Sequence, residues 1–174
     1  MKTIGLLGGM SWESTVHYYQ IINEEVKNKL GGLHSAKIIL YSVEFAEIEN
    51  YQSSNQWEKC GEILGRAAKK LEDAGADFIL ICSNTIHKVT SQIASMLQIP
   101  VVHIADATAD ELKTCHIKRV GLLGTRYTMK GVEGVILGCT EIGLLIHQSD
   151  VSVPVFDTTV IHAKKAVQIA LTDS

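Results

Sequence analysis

Two short stretches carry side chains that could move a proton or attack a substrate. The first is FILICSNTIH, Phe78 to His87, in which an apolar run ends in Cys82-Ser83-Asn84-Thr85. The second is GVILGCTEIG, Gly134 to Gly143, in which Val135-Ile136-Leu137 ends in Gly138-Cys139-Thr140-Glu141. An apolar run without alternation reads as a strand buried on both faces. Polar side chains at the carboxyl end of such a strand stand where open α/β sheets bind ligands. Cys139 follows a glycine and sits where a helix starts, and a helix N-terminus makes a thiol more acidic. It is therefore a candidate proton-transfer group, whereas Cys60 and Cys115 lack that setting and read as packing thiols. Ser83 fits either a helix cap or a reacting hydroxyl. Asn84, Thr85 and Thr140, with backbone N–H groups at two helix starts, suit a carboxylate. The residues thus describe a small anion held between two half-sites with one proton-transfer group each. A cysteine hydrolase would need a histidine partner, and His87 or His162 could serve. The mirrored turns favour symmetric chemistry instead, which leaves both histidines as structural residues.

The elements that must position these turns alternate strand and helix. Strands are expected at Thr3–Leu7, Lys37–Val43, Asp77–Cys82, Val101–Ile104, Arg119–Gly124, Gly134–Leu137 and Val153–Phe156. The first long helix, Trp12 to Leu30, has Ser11 as N-cap and Gly31 as stop, with Val16, Tyr19, Ile22, Val26 and Leu30 as its apolar positions. Glu44 to Ser54 reads as a loop with a short helix, and Gln56 to Ala74 as a helix with Ile63, Ala67, Lys70 and Leu71 inward. Further helices are expected at Thr85–Leu97, from Asp106 to about Cys115, at Thr140–Ile146 and at Thr158–Ala170. Such alternation predicts a parallel sheet covered on both faces.

The chain echoes itself. Gly5-Leu6-Leu7-Gly8 matches Gly121-Leu122-Leu123-Gly124, Ser83-Asn84-Thr85 matches Cys139-Thr140-Glu141, Ile99-Pro100-Val101 matches Val153-Pro154-Val155, and Asp106 falls near Asp157. The later interval agrees in length, 17 residues from Ser83 to Pro100 and 15 from Cys139 to Pro154. The earlier one does not: Gly5 to Ser83 is 78 residues, Gly121 to Cys139 only 18. No helical crossover fits there, although parallel strands need one. The second half is short by about 60 residues, roughly two crossover units. A segment is expected to be absent near 129–131, either deleted or left out as disordered. The expected division is a first half over 1–105, onto which the C-terminal helix 158–174 packs back, and a second half over 106–157.

With 174 residues, 46% hydrophobic and 20% charged, the composition is that of an ordinary globular chain. A net charge of −3 and the lack of a basic run argue against nucleic acid as a partner. No apolar stretch is long enough to span a bilayer. The start, MKTIGLLGGMSW, reads as a first strand and turn rather than a signal peptide. Four cysteines without a CxxC pair suggest reduced thiols in the cytoplasm, and seven scattered histidines give no metal-ligand spacing.

The motifs GLLGGMSWEST at 5–15, GGLHSA at 31–36, CSNTIHK at 82–88, HIADAT at 103–108, LLGTRYTM at 122–129, GVILGCTEIGLL at 134–145 and PVFDTTVIHA at 154–163 span nearly the whole chain. In these the sequence resembles the cofactor-independent aspartate/glutamate racemase superfamily, most closely its aspartate/glutamate or broad-specificity amino-acid racemase branch. The resemblance implies two pseudo-symmetric Rossmann-like (flavodoxin-like) α/β halves with the active site between them, and a homodimer. It also implies a two-base racemase that needs neither pyridoxal phosphate nor metal and acts on aspartate, glutamate or a similar small polar amino acid. The second-half base maps onto Cys139. The first-half base, a cysteine in many members, maps onto Ser83, and Cys82 one position earlier points to the opposite face of the strand. On this reading Cys139 abstracts efficiently, while Ser83 returns a proton directly or through a water. Substrate binding maps onto Met10, Gln52, Asn84, Thr85, Thr140 and Glu141. The same paired turns serve sister reactions (maleate isomerase, hydantoin racemase, malonate decarboxylase). A homologue that binds an amino acid without turning it over is a further alternative.

Overall fold

The computed structural model describes residues 1–123, 132–143 and 146–172. It contains two parallel sheets flanked by helices. The first sheet has strands β1 (Ile4–Gly8), β2 (Ile38–Ser42), β3 (Phe78–Ile81) and β4 (Val101–Val102) in the order β2-β1-β3-β4. Helices α1 (Trp12–Leu30), α2 (Phe45–Ser53), α3 (Trp57–Asp73) and α4 (Thr90–Ala94) connect them. After α5 (Ile104–Thr114), the second sheet runs β5 (Val120–Leu123), β6 (Gly134–Leu137), β7 (Val155–Asp157), in that spatial order. The short α6 (Thr140–Gly143) follows β6, and α7 (Thr158–Leu171) closes the chain.

Residues along β1 and β3 are buried throughout, and strand alternation sends them to two cores. Leu7, Ile79 and Ile81 pack with Ile48, Leu64, Leu71, Ile86 and Ile93 from α2, α3 and the segment after β3. Ile4, Leu6, Phe78, Leu80 and Cys82 face the other way, onto Tyr18, Ile22 and Val26 of α1 and onto Ala163, Ala166, Val167 and Ala170 of α7. The small side chains of α7 let it lie close against the first sheet. The second sheet holds counterparts of β1, β3 and β4 but, among the described residues, none of β2. Between β1 and β3 the chain runs through residues 9–77; between β5 and β6 it has only 124–133. The position proposed for the absent segment, 129–131, lies outside the described residues.

Three expectations are corrected. The apolar stripe of α1 is wider than its buried face: Ser14, Thr15, Tyr18, Ile22 and Val26 turn inward, while Val16, Tyr19 and Leu30 stay exposed. On α3 the inward row is Cys60, Leu64, Ala67, Ala68 and Leu71, and Lys70 is outside, its Nζ donating to Tyr41 Oη at 2.9 Å. The helix expected at Thr85–Leu97 opens as a tight 3-10 turn over Thr85–Val89 and becomes α-helical only at Thr90–Ala94. No described helix is long and apolar enough to cross a membrane.

Candidate active site

The ladders place the two turns at equivalent positions. Gly5 pairs with Ile79 and Ile79 with Val101; Gly121 pairs with Val135 and Val135 with Val155. Ser83 stands four positions beyond Ile79, and Cys139 four positions beyond Val135. Both turns therefore leave the carboxyl ends of equivalent central strands. The same registers equate Pro100 with Pro154 and His103 with Asp157. That corrects the match of Asp106 to Asp157: His103 caps α5 by accepting from Ala105 N at 3.1 Å, as Asp157 caps α7 by accepting from Thr159 N at 2.8 Å. Acceptor chemistry is kept at this cap, although the residue type is not.

Ser83 and Cys139 line one cleft of about 190 Å³, together with Met10, Ser11, Phe45, Gln52, Asn84, Thr85 and Gly138. Met10 comes from the first βα turn and is only 5% exposed. That turn is tight. Gly9 has φ of +97°, and a Cβ there would lie 2.3 Å from Val43 O. Its N–H donates to Thr15 Oγ1 at 2.9 Å, and Ser11 Oγ caps α1 by accepting from Ser14 N at 3.3 Å. Gln52 reaches the cleft from α2, half-buried. Thr140 and Glu141 begin α6 at the same strand end, but their side chains lie outside what the structure describes.

Asn84 joins the halves. Its Nδ2 donates to the carbonyl of Gly138, the residue before Cys139. Cys82 does not face the cleft: its thiol is fully buried in the core against α1 and α7, and burial pushes its pKa up. Such a thiol stays protonated and inert, so Ser83 is the side chain that the first turn offers. Ser11 and Phe45 also line the cleft, and they were not singled out from sequence as site residues. Phe45 begins α2 just after the carboxyl end of β2, the position at which ligands meet such sheets.

Behind Ser83 lie three histidines. The His87 ring meets His103 at 4.7 Å and His162 at 5.4 Å, edge to face. His162 is fully buried, its Nδ1 2.8 Å from Tyr18 Oη and its Nε2 2.8 Å from Val102 O. Burial lowers the pKa of His87 to about 4 and that of His162 to about 3, so both rings are neutral near pH 7. A second cavity, about 430 Å³, shares Asn84, Thr85 and Gly138 with the cleft and continues along Ile104, Thr108 and Leu122. No group of three or more His, Cys, Asp or Glu among the described residues could hold a metal ion.

Comparison with known proteins agrees with this architecture. Residues 7–132 match the family described as Asp/Glu/Hydantoin racemase, a span that includes Ser83 and stops before Cys139. A crystal structure of a candidate Asp/Glu racemase from Yersinia pestis is 43% identical with a TM-score of 0.92, over 99% of this chain and 100% of that one. An aspartate racemase homologue from Pyrococcus horikoshii OT3 is 33% identical with a TM-score of 0.88, over 98% of this chain and 99% of that one. The broad-specificity amino-acid racemase RacX of Bacillus subtilis (strain 168) is 28% identical over 130 residues, 73% of this chain but only 56% of the length of RacX. With two parallel α/β halves, ladders that equate Ser83 with Cys139, and a match over 7–132, the chain belongs to the Asp/Glu/hydantoin racemase family.

Proposed function

We propose that this chain is an isomerase: an amino-acid racemase that uses no pyridoxal phosphate or metal and acts by two bases. The observation that carries the reading is the placement of Ser83 and Cys139 at equivalent strand ends on one small cleft. In one direction Cys139, as thiolate, takes the α-proton, and the Cα–H electron pair passes into the substrate carboxylate system. A proton then reaches the opposite face of Cα from the Ser83 side, from Oγ directly or through a water that Oγ holds. The reverse direction exchanges the roles. Asn84, Thr85 and Thr140 bind the α-carboxylate; Met10, Gln52 and Glu141 shape the rest of the site. The substrate class is aspartate, glutamate or a similar small polar amino acid. The cytoplasm is the expected location, since the four cysteines stand as thiols.

The chain works as a homodimer in the same reading. Trp12, Val16 and Tyr19 stand 65%, 55% and 51% exposed on one face of α1, at the i, i+4, i+7 spacing of a single stripe. Leu40 of the edge strand β2 and Phe45 are exposed as well. An apolar group of this kind marks a contact surface.

The test is α-proton exchange. L- and D-amino acids are incubated with the protein in D2O without added cofactor, and the α-proton signal is followed by NMR. Exchange that disappears in Cys139→Ala supports the mechanism. Exchange that persists in this variant removes Cys139 from it, and silence of the folded wild type across the panel refutes the racemase reading.

A further inference from the structure

The segment after β3 opens as a 3-10 turn with Asn84 as its N-cap, and His87 N donates to Asn84 O at 3.1 Å. The carbonyl of Ser83 precedes the N-cap and has no helical donor. It is met by the His87 side chain, with Nδ1 2.8 Å from it. A carbonyl oxygen can only accept, so Nδ1 carries the proton that this bond uses. Nε2 is buried. The segment on the other side of Ser83 is held too: Cys82 N donates to Leu7 O at 2.9 Å, and Cys82 O accepts from Ser14 Oγ at 3.0 Å.

We propose that His87 is the positioning residue of the first-half acid/base group: its Nδ1–H, donated to the Ser83 carbonyl, fixes the direction in which Ser83 Oγ enters the cleft. His103 and His162 hold the ring edge-on, and His162 is itself anchored to Tyr18 and Val102. Cys139 leaves a different sheet, and Asn84 ties the residue before it, Gly138, to the first turn. The inference rests on the racemase reading, and it makes the two proton-transfer sides separable. Loss of the His87 donor slows transfer on the Ser83 side alone.

Rates cannot show the asymmetry directly, because the equilibrium constant of racemisation is one and kcat/KM must be equal for both enantiomers. Isotope effects can. The wild type, His87→Leu and His87→Asn are compared with α-deuterated L and D substrates; Asn restores an N–H donor near the position of Nδ1. His87→Leu is expected to lower kcat roughly 10- to 100-fold, the size of effect that a misplaced reacting group causes. Its deuterium isotope effect grows for the enantiomer whose α-deuteron Ser83 removes and shrinks for the other. His87→Asn recovers most of the rate and the wild-type pattern. Isotope effects left unchanged in His87→Leu, or no recovery with Asn, overturn the proposal while leaving the racemase reading intact. Failure of that reading is distinct: the wild type itself then exchanges no α-proton. The tautomer is read independently of activity from the ring ¹⁵N shifts, and a proton on Nε2 of His87 in the wild type also overturns the proposal.

Discussion

Acid should destabilise this protein well above the pH at which its carboxylates titrate, and the buried imidazoles are the reason. His87 and His162 have folded pKa values of about 4 and about 3, depressed chiefly by burial, against 6.5 when exposed. The folded value lies below the unfolded one, so between these values the unfolded chain binds more protons and stability falls as pH falls. The stabilising contribution is fully present above about 6.5 and is lost as pH drops toward 4. At 1.36 kcal/mol per pKa unit, each ring loses about 2 kcal/mol between pH 7 and pH 5, about 4 kcal/mol for the pair. That is a large part of a typical domain stability of about 5–15 kcal/mol. The lowered carboxylates, Glu72, Asp110 and Glu133, are stabilised as anions by Lys69, Lys165 and the backbone N–H of Lys118 respectively. They act below their ordinary values of 3.8 to 4.5 and leave the pH 7 to 5 window to the histidines. Urea denaturation at pH 7, 6 and 5 gives the slope, and a His162→Asn variant should show about half of it. A wild-type stability that is flat across this range refutes the neutral buried cluster, and a slope unchanged in His162→Asn refutes its assignment to that ring.

Other perturbations test the frame around the site. Thr15→Val keeps the shape but leaves the buried Gly9 N–H without its acceptor, which should cost about 1–3 kcal/mol in chemical denaturation; a loss below a few tenths would show that the first turn does not depend on this bond. Val16→Lys places a charge in the exposed stripe of α1 and should convert a dimer to monomer in analytical ultracentrifugation without lowering thermal stability at low concentration; a dimer that survives removes this face from the interface. If a segment of about 60 residues is absent near 129–131, the natural gene product should exceed 19.0 kDa by about 6.5 kDa at this chain's mean residue mass. An intact mass of 19.0 kDa would mean a true deletion.

Much of this architecture could be read from the chain because its signals are local. Unalternating runs at Phe78–Ile81 and Gly134–Leu137 have one good explanation, a strand buried on both faces, and both are strands. Repeats such as Gly5-Leu6-Leu7-Gly8 and Gly121-Leu122-Leu123-Gly124 announce a duplication without any structure. Signals that depend on a partner were misread. The stripe on α1 is apolar at both its inward and its exposed positions, and hydrophobicity alone does not say which face meets the core and which would meet another chain. Asp106 looked like the mate of Asp157 because the residue type matched; strand register shows that the mate is His103, a different side chain doing the same capping work.

The turn at Ser83 shows most clearly what sequence periodicity leaves out. Ile86, Val89, Ile93 and Leu97 carry a helical spacing, and periodicity alone predicts a helix from Thr85 onward. All four are indeed buried. Yet the backbone is tighter than an α-helix over 85–89, and the His87 side chain reaches back to the Ser83 carbonyl just before the turn. Periodicity reports which positions face the core; it is silent on which donor satisfies which acceptor. A buried polar side chain that bonds to a nearby backbone carbonyl adds local structure that the pattern does not show. Here that bond falls within the residues that would handle a proton, and that is where a fold gains most from fixing one hydroxyl's direction.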